Sequence, residues 1–189
     1  MCSYCGCRAI APVARLSAEH VEVLELLGDL RRAPALGRAG FDEALDRLTQ
    51  ALGAHTGGEE RSLLAELRDD PELGAHVAAL CAEHGEIDEA LAALRPGDAP
   101  ALAALETLLR RHIDKEENGL FPAAAIALGA EAWDRVDVLL RADPALLETL
   151  RRWEDSGGTW RLTAEDGAVV LVSCTGEEME TLRSAIPSA

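Results

Sequence analysis

Four stretches of this chain carry apolar residues at the alternating three- and four-residue steps of a helix buried along one face. In each stretch a histidine or a glutamate stands where the stripe calls for leucine. The first stripe is Leu16, His20, Val23, Leu27, Leu30, and the second is Phe41, Leu45, Leu48, Leu52, His55, Glu59. The third is Leu73, Val77, Leu80, His84, Ile87, Leu91, Leu94, and the fourth is Leu102, Leu105, Leu109, His112, Glu116. Four helices therefore aim polar groups at one interior. Burying a carboxylate without a partner costs several kcal/mol, and these stripes bury two. A cation has to compensate, and a pair of metal ions is the simplest candidate.

Composition supports helices. The 189 residues are 48% apolar but only 3% aromatic, so the core is built mostly of Leu, Ala and Val. With 34 acidic residues against 18 basic ones the net charge is −16, which argues against nucleic acid and anionic membrane as partners. No apolar run reaches the length of a membrane span, and no basic region with an apolar run follows Met1. The expectation is a cytoplasmic protein. In that reducing compartment the five cysteines do not read as a structural disulfide framework.

The loops give the organisation. Ser17 reads as the cap of a first helix running to about Ala33, after a Cys-bearing lead-in over residues 1–15. Further helices are expected from about Phe41 to Arg68, Pro71 to Leu94, and Pro100 to Leu128, with Pro122 bending or ending the last. The short connections predict an all-α, antiparallel up-down four-helix bundle over residues 16–128. Residues 129–155 read as two more short helices, Glu131–Leu140 and Pro144–Trp153. A small ββα module is expected over 156–189, with strands at 159–163 and 168–173 around Glu165-Asp166-Gly167 and a helix from about Gly176 to Ala185.

An internal repeat runs through the bundle. Residues 18–23 read AEHVEV and 82–87 read AEHGEI; residues 55–64 read HTGGEERSLL and 112–121 read HIDKEENGLF. Two similar helix pairs facing each other make a pseudo-twofold bundle, the setting of carboxylate-bridged metal pairs. HxxxE places His and Glu one turn apart on one helix face, so both reach one ion or the Glu joins two. Imidazole with carboxylate suits Fe, Mn or Zn, and the donor set alone does not choose among them. A lone His on such a face reads as a core histidine. Six residues on four stripes, His20, His55, Glu59, His84, His112 and Glu116, read as a metal site.

On these residues the chain resembles the hemerythrin-like, or HHE cation-binding, family. The likeness covers about residues 16 to 122 and is carried by His20, the His55–Glu59 pair followed by Glu60, His84, and the His112–Glu116 pair within EENGLFP. The resemblance implies a four-helix bundle with a non-heme, oxo-bridged centre of two iron ions. It implies that His20 and His55 serve mainly one iron, that His84 and His112 serve the other, and that Glu59 and Glu116 bridge. Two departures stand out. Oxygen carriers of the family place a fifth His one turn before the position of His84, where this chain has Leu80. Their fourth-helix carboxylate lies where this chain has Glu117, whereas Glu116 keeps the HxxxE spacing. A missing imidazole leaves a coordination position open and moves the expectation from simple oxygen carriage toward reaction with, or sensing of, oxygen, peroxide or nitric oxide.

Other residues carry two readings each. Glu19, Glu60 and Glu83 are either outer hydrogen-bond acceptors for imidazole or solvated helix-face carboxylates. His76 is off the stripe and reads as surface, and Cys81 reads as a packing residue. Cys2, Cys5 and Cys7 form a CxxCxC segment. It is either a thiolate site for Zn or iron, or a redox pair serving the metal centre, with Cys174 a candidate fourth ligand, or else a frayed terminus. Three functions remain in view. One is a module that binds or senses O2, NO or redox state; another is an enzyme reducing or disproportionating peroxide or nitric oxide; the last is an iron-handling protein without turnover. The protein partner stays unspecified.

Overall fold

The computed structural model describes residues 6–142, apart from the side chain at 36, and the backbone of 160–165, 168–173 and 181–184. A 3₁₀ turn, Cys7–Ala9, leads into helix α1, Ala11–Arg32. The helix starts earlier than the expected cap at Ser17. Pro12 lies in the first turn, where its missing N–H is no loss. Val13 and Leu16 are fully buried and extend the stripe backward, so Ser17 is a buried interior position. The lead-in is thus shorter than residues 1–15.

After a 3₁₀ turn, Ala33–Leu36, helix α2 runs Gly37–Arg61. It breaks at Ser62, whose φ of −117° and ψ of −94° are not helical, and α3 follows over Leu63–Leu67. The expected single helix to Arg68 is therefore two pieces. Asp70 accepts hydrogen bonds from the backbone N–H of Glu72 (2.8 Å) and Leu73 (2.9 Å). That side-chain turn holds residues 71–73 out of the helix, and α4 begins only at Gly74, ending at Ala93. Asp98 caps α5, Ala99–Lys115, by accepting from Ala101 N–H at 3.0 Å.

Pro122 does not end the fourth rod. Glu116–Leu120 forms a π turn and the chain continues as α6, Phe121–Ala127. Proline clashes with the carbonyl four residues back and cannot donate to it, and the wider i→i+5 turn relieves that conflict. Helix α7, Ala130–Arg141, follows.

The long helices neighbour one another in a closed cycle, α1 to α2 to α4 to α5 and back to α1. The principal apolar cluster contains Val23 to Leu30 of α1, Phe41 to Leu52 of α2, Ile87 to Leu94 beside α4, and Leu105 and Leu109 of α5. It lies C-terminal to His20 and His84 but N-terminal to His55 and His112. That alternation is the up-down arrangement, with the histidines at one level and the leucines stacked beyond them. Each fully buried Leu contributes about 1.5–3 kcal/mol, and this stack offsets the cost of the polar level.

The chain divides into two compact units, Met1–Trp133 and Asp134–Ala189. In the second, β1 (Trp160–Glu165) pairs antiparallel with β2 (Ala168–Ser173), and β2 pairs antiparallel with β3 (Thr181–Ser184). The sequence pattern predicts a helix through 181–184, but that segment is a strand. Pairing there satisfies the second edge of β2, which would otherwise present unpaired backbone groups. The helix expected at 144–153 lies outside the described residues, as do Cys2, Cys5 and Cys174. Among the described residues no helix is long and apolar enough to cross a membrane.

Candidate metal centre

The four stripes deliver their polar residues to one level of the bundle. His20 comes from α1, His55 and Glu59 from α2, His84 from α4, His112 from α5, and Glu116 from the first residue of the π turn. All six are buried, and both glutamates have 0% exposure. Ligating atoms of His20, His55, Glu59 and Glu116 lie within 4.8 Å of one another, and so do those of Glu59, His84, His112 and Glu116. The two groups share the two glutamates. His76 and Cys81 belong to neither group.

Most of the inner atoms are close together without being hydrogen-bonded. His20 Nε2 is 3.0 Å from Glu116 Oε2, and His112 Nε2 is 3.2 Å from Glu116 Oε1. Glu59 Oε2 stands 3.5 Å from His55 Nε2 and 3.6 Å from His84 Nε2. Yet His20 Nε2, His55 Nε2 and all four carboxylate oxygens of Glu59 and Glu116 have no hydrogen-bond partner. Buried polar atoms are normally paired. Donors that sit about 2.1 Å from a shared ion lie roughly 3.0–3.5 Å apart, which is the spacing seen here. The residues therefore fit a metal.

The outer nitrogens explain why the inner ones point inward. His20 Nδ1–H donates to Glu117 Oε1 at 2.9 Å, and His55 Nδ1–H to Glu19 Oε2 at 2.9 Å. His84 Nδ1–H donates to Glu60 Oε1 at 2.8 Å, and His112 Nδ1–H to Glu83 Oε2 at 3.1 Å. An ionised carboxylate only accepts, so each Nδ1 carries a proton and, in the neutral ring that binds a metal, Nε2 presents its lone pair inward. His84 Nε2 and His112 Nε2 then face each other at 3.1 Å. Two lone pairs at that distance require a cation between or beside them, a proton or a metal.

The four outer bonds close a ring. Glu19, next to His20 on α1, holds the His of α2, and Glu60, next to Glu59 on α2, holds the His of α4. Glu83, next to His84 on α4, holds the His of α5, and Glu117, next to Glu116, returns to the His of α1. The repeated EH and EE dipeptides are thus one device: one residue serves its own helix's place in the centre, and its neighbour orients the imidazole of the next helix. The π turn assists, because its wider winding brings the successive side chains of Glu116 and Glu117 toward the same interior, where both are buried. Phe121, one turn on, stacks on His20 with ring centroids 5.7 Å apart.

The electrostatics of the metal-free cluster are split. Burial and the nearby Glu116 push the Glu59 carboxyl well above its ordinary range. Burial also pushes Glu116 up, but the adjacent imidazoles of His112 and His20 outweigh it and hold Glu116 low. For His20, burial pulls the pKa down, yet Glu116 and Glu117 together raise it to about 9. Burial likewise opposes ionisation of Glu117, and the bonds from His20 and Arg8 overcome it and bring the carboxyl to about 2. Burial keeps His55 below its ordinary value.

Sequence patterning left the outer carboxylates ambiguous and did not identify Arg8, whose Nη2 donates to Glu117 Oε2 at 2.7 Å. No periodic signal marks that residue; only its position beside the cysteines could have drawn notice. Cys7 is buried at 3% exposure.

Fold and site together define a class: an antiparallel helical bundle whose inner polar level can hold a metal ion in a His/Glu cluster. Its family follows from direct comparison. The family model for the hemerythrin HHE cation-binding domain matches residues 11–124, and the chain belongs to that family. No curated protein and no solved structure shows a significant match to the chain.

Proposed function

We propose that the bundle holds two iron ions, one between His20 and His55 and one between His84 and His112, with Glu59 and Glu116 shared, and that this centre binds or senses O2, NO or redox state. The observation that carries the reading is the set of inward donor atoms left without hydrogen-bond partners. When bound, iron supplies a redox-active centre able to take a diatomic ligand or peroxide. The chain's own residues supply the rest. Glu19, Glu60, Glu83 and Glu117 fix the imidazole tautomers, and the leucine stack keeps water from the far side of the cluster.

Binding is favoured over turnover by how the nearby hydroxyls are used. Thr56 donates to Leu52 O and Ser62 to Gly58 O, each bond closing on its own helix. Among the described residues, Ser17 is the one buried hydroxyl left over. A peroxide- or NO-consuming enzyme needs a placed proton donor, and the Thr56 and Ser62 hydroxyls, each spent on its own helix, do not supply one. A reducing, cytoplasmic setting suits the thiols of this chain.

Metal analysis after anaerobic loading with ferrous iron is expected to give two ions per chain. His84→Ala should lower that toward one, because His84 belongs to only one of the two donor groups. Unchanged iron content in the variant would remove His84 from the ligand set. Cycling oxygen or NO over the loaded protein should change its absorption spectrum reversibly, whereas sustained peroxide consumption would move the assignment to the enzymatic reading.

Uptake should also depend on pH with a definite sign. In the metal-free cluster His20, raised to about 9, carries an extra proton at neutral pH, and burial shifts Glu59 toward its protonated form. An ion must displace these protons, so affinity rises with pH toward about 9 and falls on acidification, by about tenfold per pH unit for each proton released. Competition titrations with a chelator at pH 6, 7 and 8 measure this. A flat profile would mean that the protonated groups are not the ligands.

A further inference from the structure

Three of the four carboxylates in the outer ring are gripped by a cation, and the cations differ in origin. Arg15 reaches Glu19 at 2.9 Å from one turn away on the same helix. Lys115, at the end of α5, donates to Glu83. Arg8 reaches Glu117 at 2.7 Å from outside the bundle helices, in the 3₁₀ turn that also carries Cys7. Of these three cations only Arg8 ties the centre to the segment preceding α1.

That turn is short and closed. Gly6 enters it at a φ of 71°, a conformation that favours glycine. Ala9 N–H donates to Gly6 O at 2.9 Å and Ile10 N–H to Cys7 O at 3.0 Å. Cys7 and Arg8 are adjacent in it, with the thiol turned inward and the guanidinium on a buried carboxylate. Glu117 is only 4% exposed and spends one oxygen on His20 Nδ1 and the other on Arg8. Without the guanidinium, half of a buried carboxylate loses a charge-assisted bond, and the acceptor that orients His20 is no longer fixed.

We propose that Arg8 is a positioning residue for the metal centre, acting through Glu117 on His20, and that docking of the Cys7–Ala9 turn is thereby coupled to metal occupancy. The proposal rests on the metal-binding reading above. Coupling of this kind is reciprocal: whatever factor the docked turn adds to metal affinity, bound metal adds to docking of the turn. Burial of the Cys7 thiol is then a readout of the centre, and the centre's affinity is a readout of the turn.

The test is the alkylation rate of Cys7 by iodoacetamide, followed residue by residue by mass spectrometry on the full chain, metal-free and saturated with ferrous iron under anaerobic conditions. Wild-type Cys7 should be alkylated about tenfold or more slowly when iron is bound. Arg8→Met should weaken iron binding by about 10–100-fold, the usual effect of losing an outer partner. At saturation its Cys7 should gain little further protection. Arg8→Lys, which keeps the charge, should restore part of both effects, an outcome that simple loss of packing would not produce. Wild-type protein that binds iron with no change at Cys7 overturns this inference and leaves the metal reading standing, as does Arg8→Met with wild-type affinity and protection. Protein that binds no iron overturns both.

Discussion

Glu59→Met should stabilise the metal-free protein by about 1–3 kcal/mol, the usual cost of a buried polar group left unsatisfied. Glu59 is fully buried, and neither of its carboxylate oxygens has a hydrogen-bond partner. Methionine keeps the length of the side chain and removes the polar atoms. The pH dependence has a definite direction. The folded-state pKa of Glu59 is raised well above the ordinary 4.5 by burial and by Glu116. Its contribution to stability is therefore fully present below about pH 4.5 and is lost as pH rises through the folded value. At pH 7 the native carboxyl is a burden, so the advantage of methionine should be larger at pH 7 than at pH 4.5. Urea denaturation in the presence of a chelator measures the difference. In iron the order should reverse, since wild type gains from a shared carboxylate that the variant lacks. A metal-free variant less stable than wild type at pH 7 would show that Glu59 is satisfied in a way its surroundings do not suggest. A site that weakens the empty fold and strengthens the filled one is a site kept for binding.

The inner cluster was legible in the sequence because periodicity is local. A His at every stripe and a Glu one turn after two of them can be read without knowing how helices pack. The outer ring was not legible, because it depends on rotational phase between neighbouring helices. Glu19 sits beside His20 in the chain but serves His55, and Glu60 sits beside Glu59 but serves His84. From one helix alone each is equally a surface carboxylate. Arg8 and Glu117 are 109 positions apart, with no pattern to join them. Helix ends failed for a different reason. The pattern starts the first helix at Ser17 and has Pro122 bend or end the fourth, yet α1 begins before Pro12, which lies in its first turn, and Pro122 is absorbed by a π turn. Burial of Val13, Leu16, Leu120 and Phe121 rewards carrying the rods past both prolines, and propensity gives way to packing there.

Iron loading should raise stability far more than any single substitution lowers it. An ion bound only by the folded chain contributes about 4 kcal/mol when its free concentration is a thousandfold above Kd, so two contribute roughly 8 kcal/mol and raise Tm by on the order of 20 °C. The variants should divide this gain unequally. His84 belongs to one donor group, so His84→Ala should forfeit about half of the rise. Glu116 belongs to both: its Oε2 lies 3.0 Å from His20 Nε2, and its Oε1 lies 3.2 Å from His112 Nε2 and 4.0 Å from His84 Nε2. Glu116→Ala should therefore forfeit nearly all of it, and excess chelator should bring wild type down to the same melting temperature shift of zero. Differential scanning calorimetry of the three proteins, with and without ferrous iron under anaerobic conditions, separates a shared carboxylate from a ligand of one ion. If Glu116→Ala keeps half the rise, as His84→Ala should, Glu116 serves one ion and the two halves of the centre are joined by Glu59 alone.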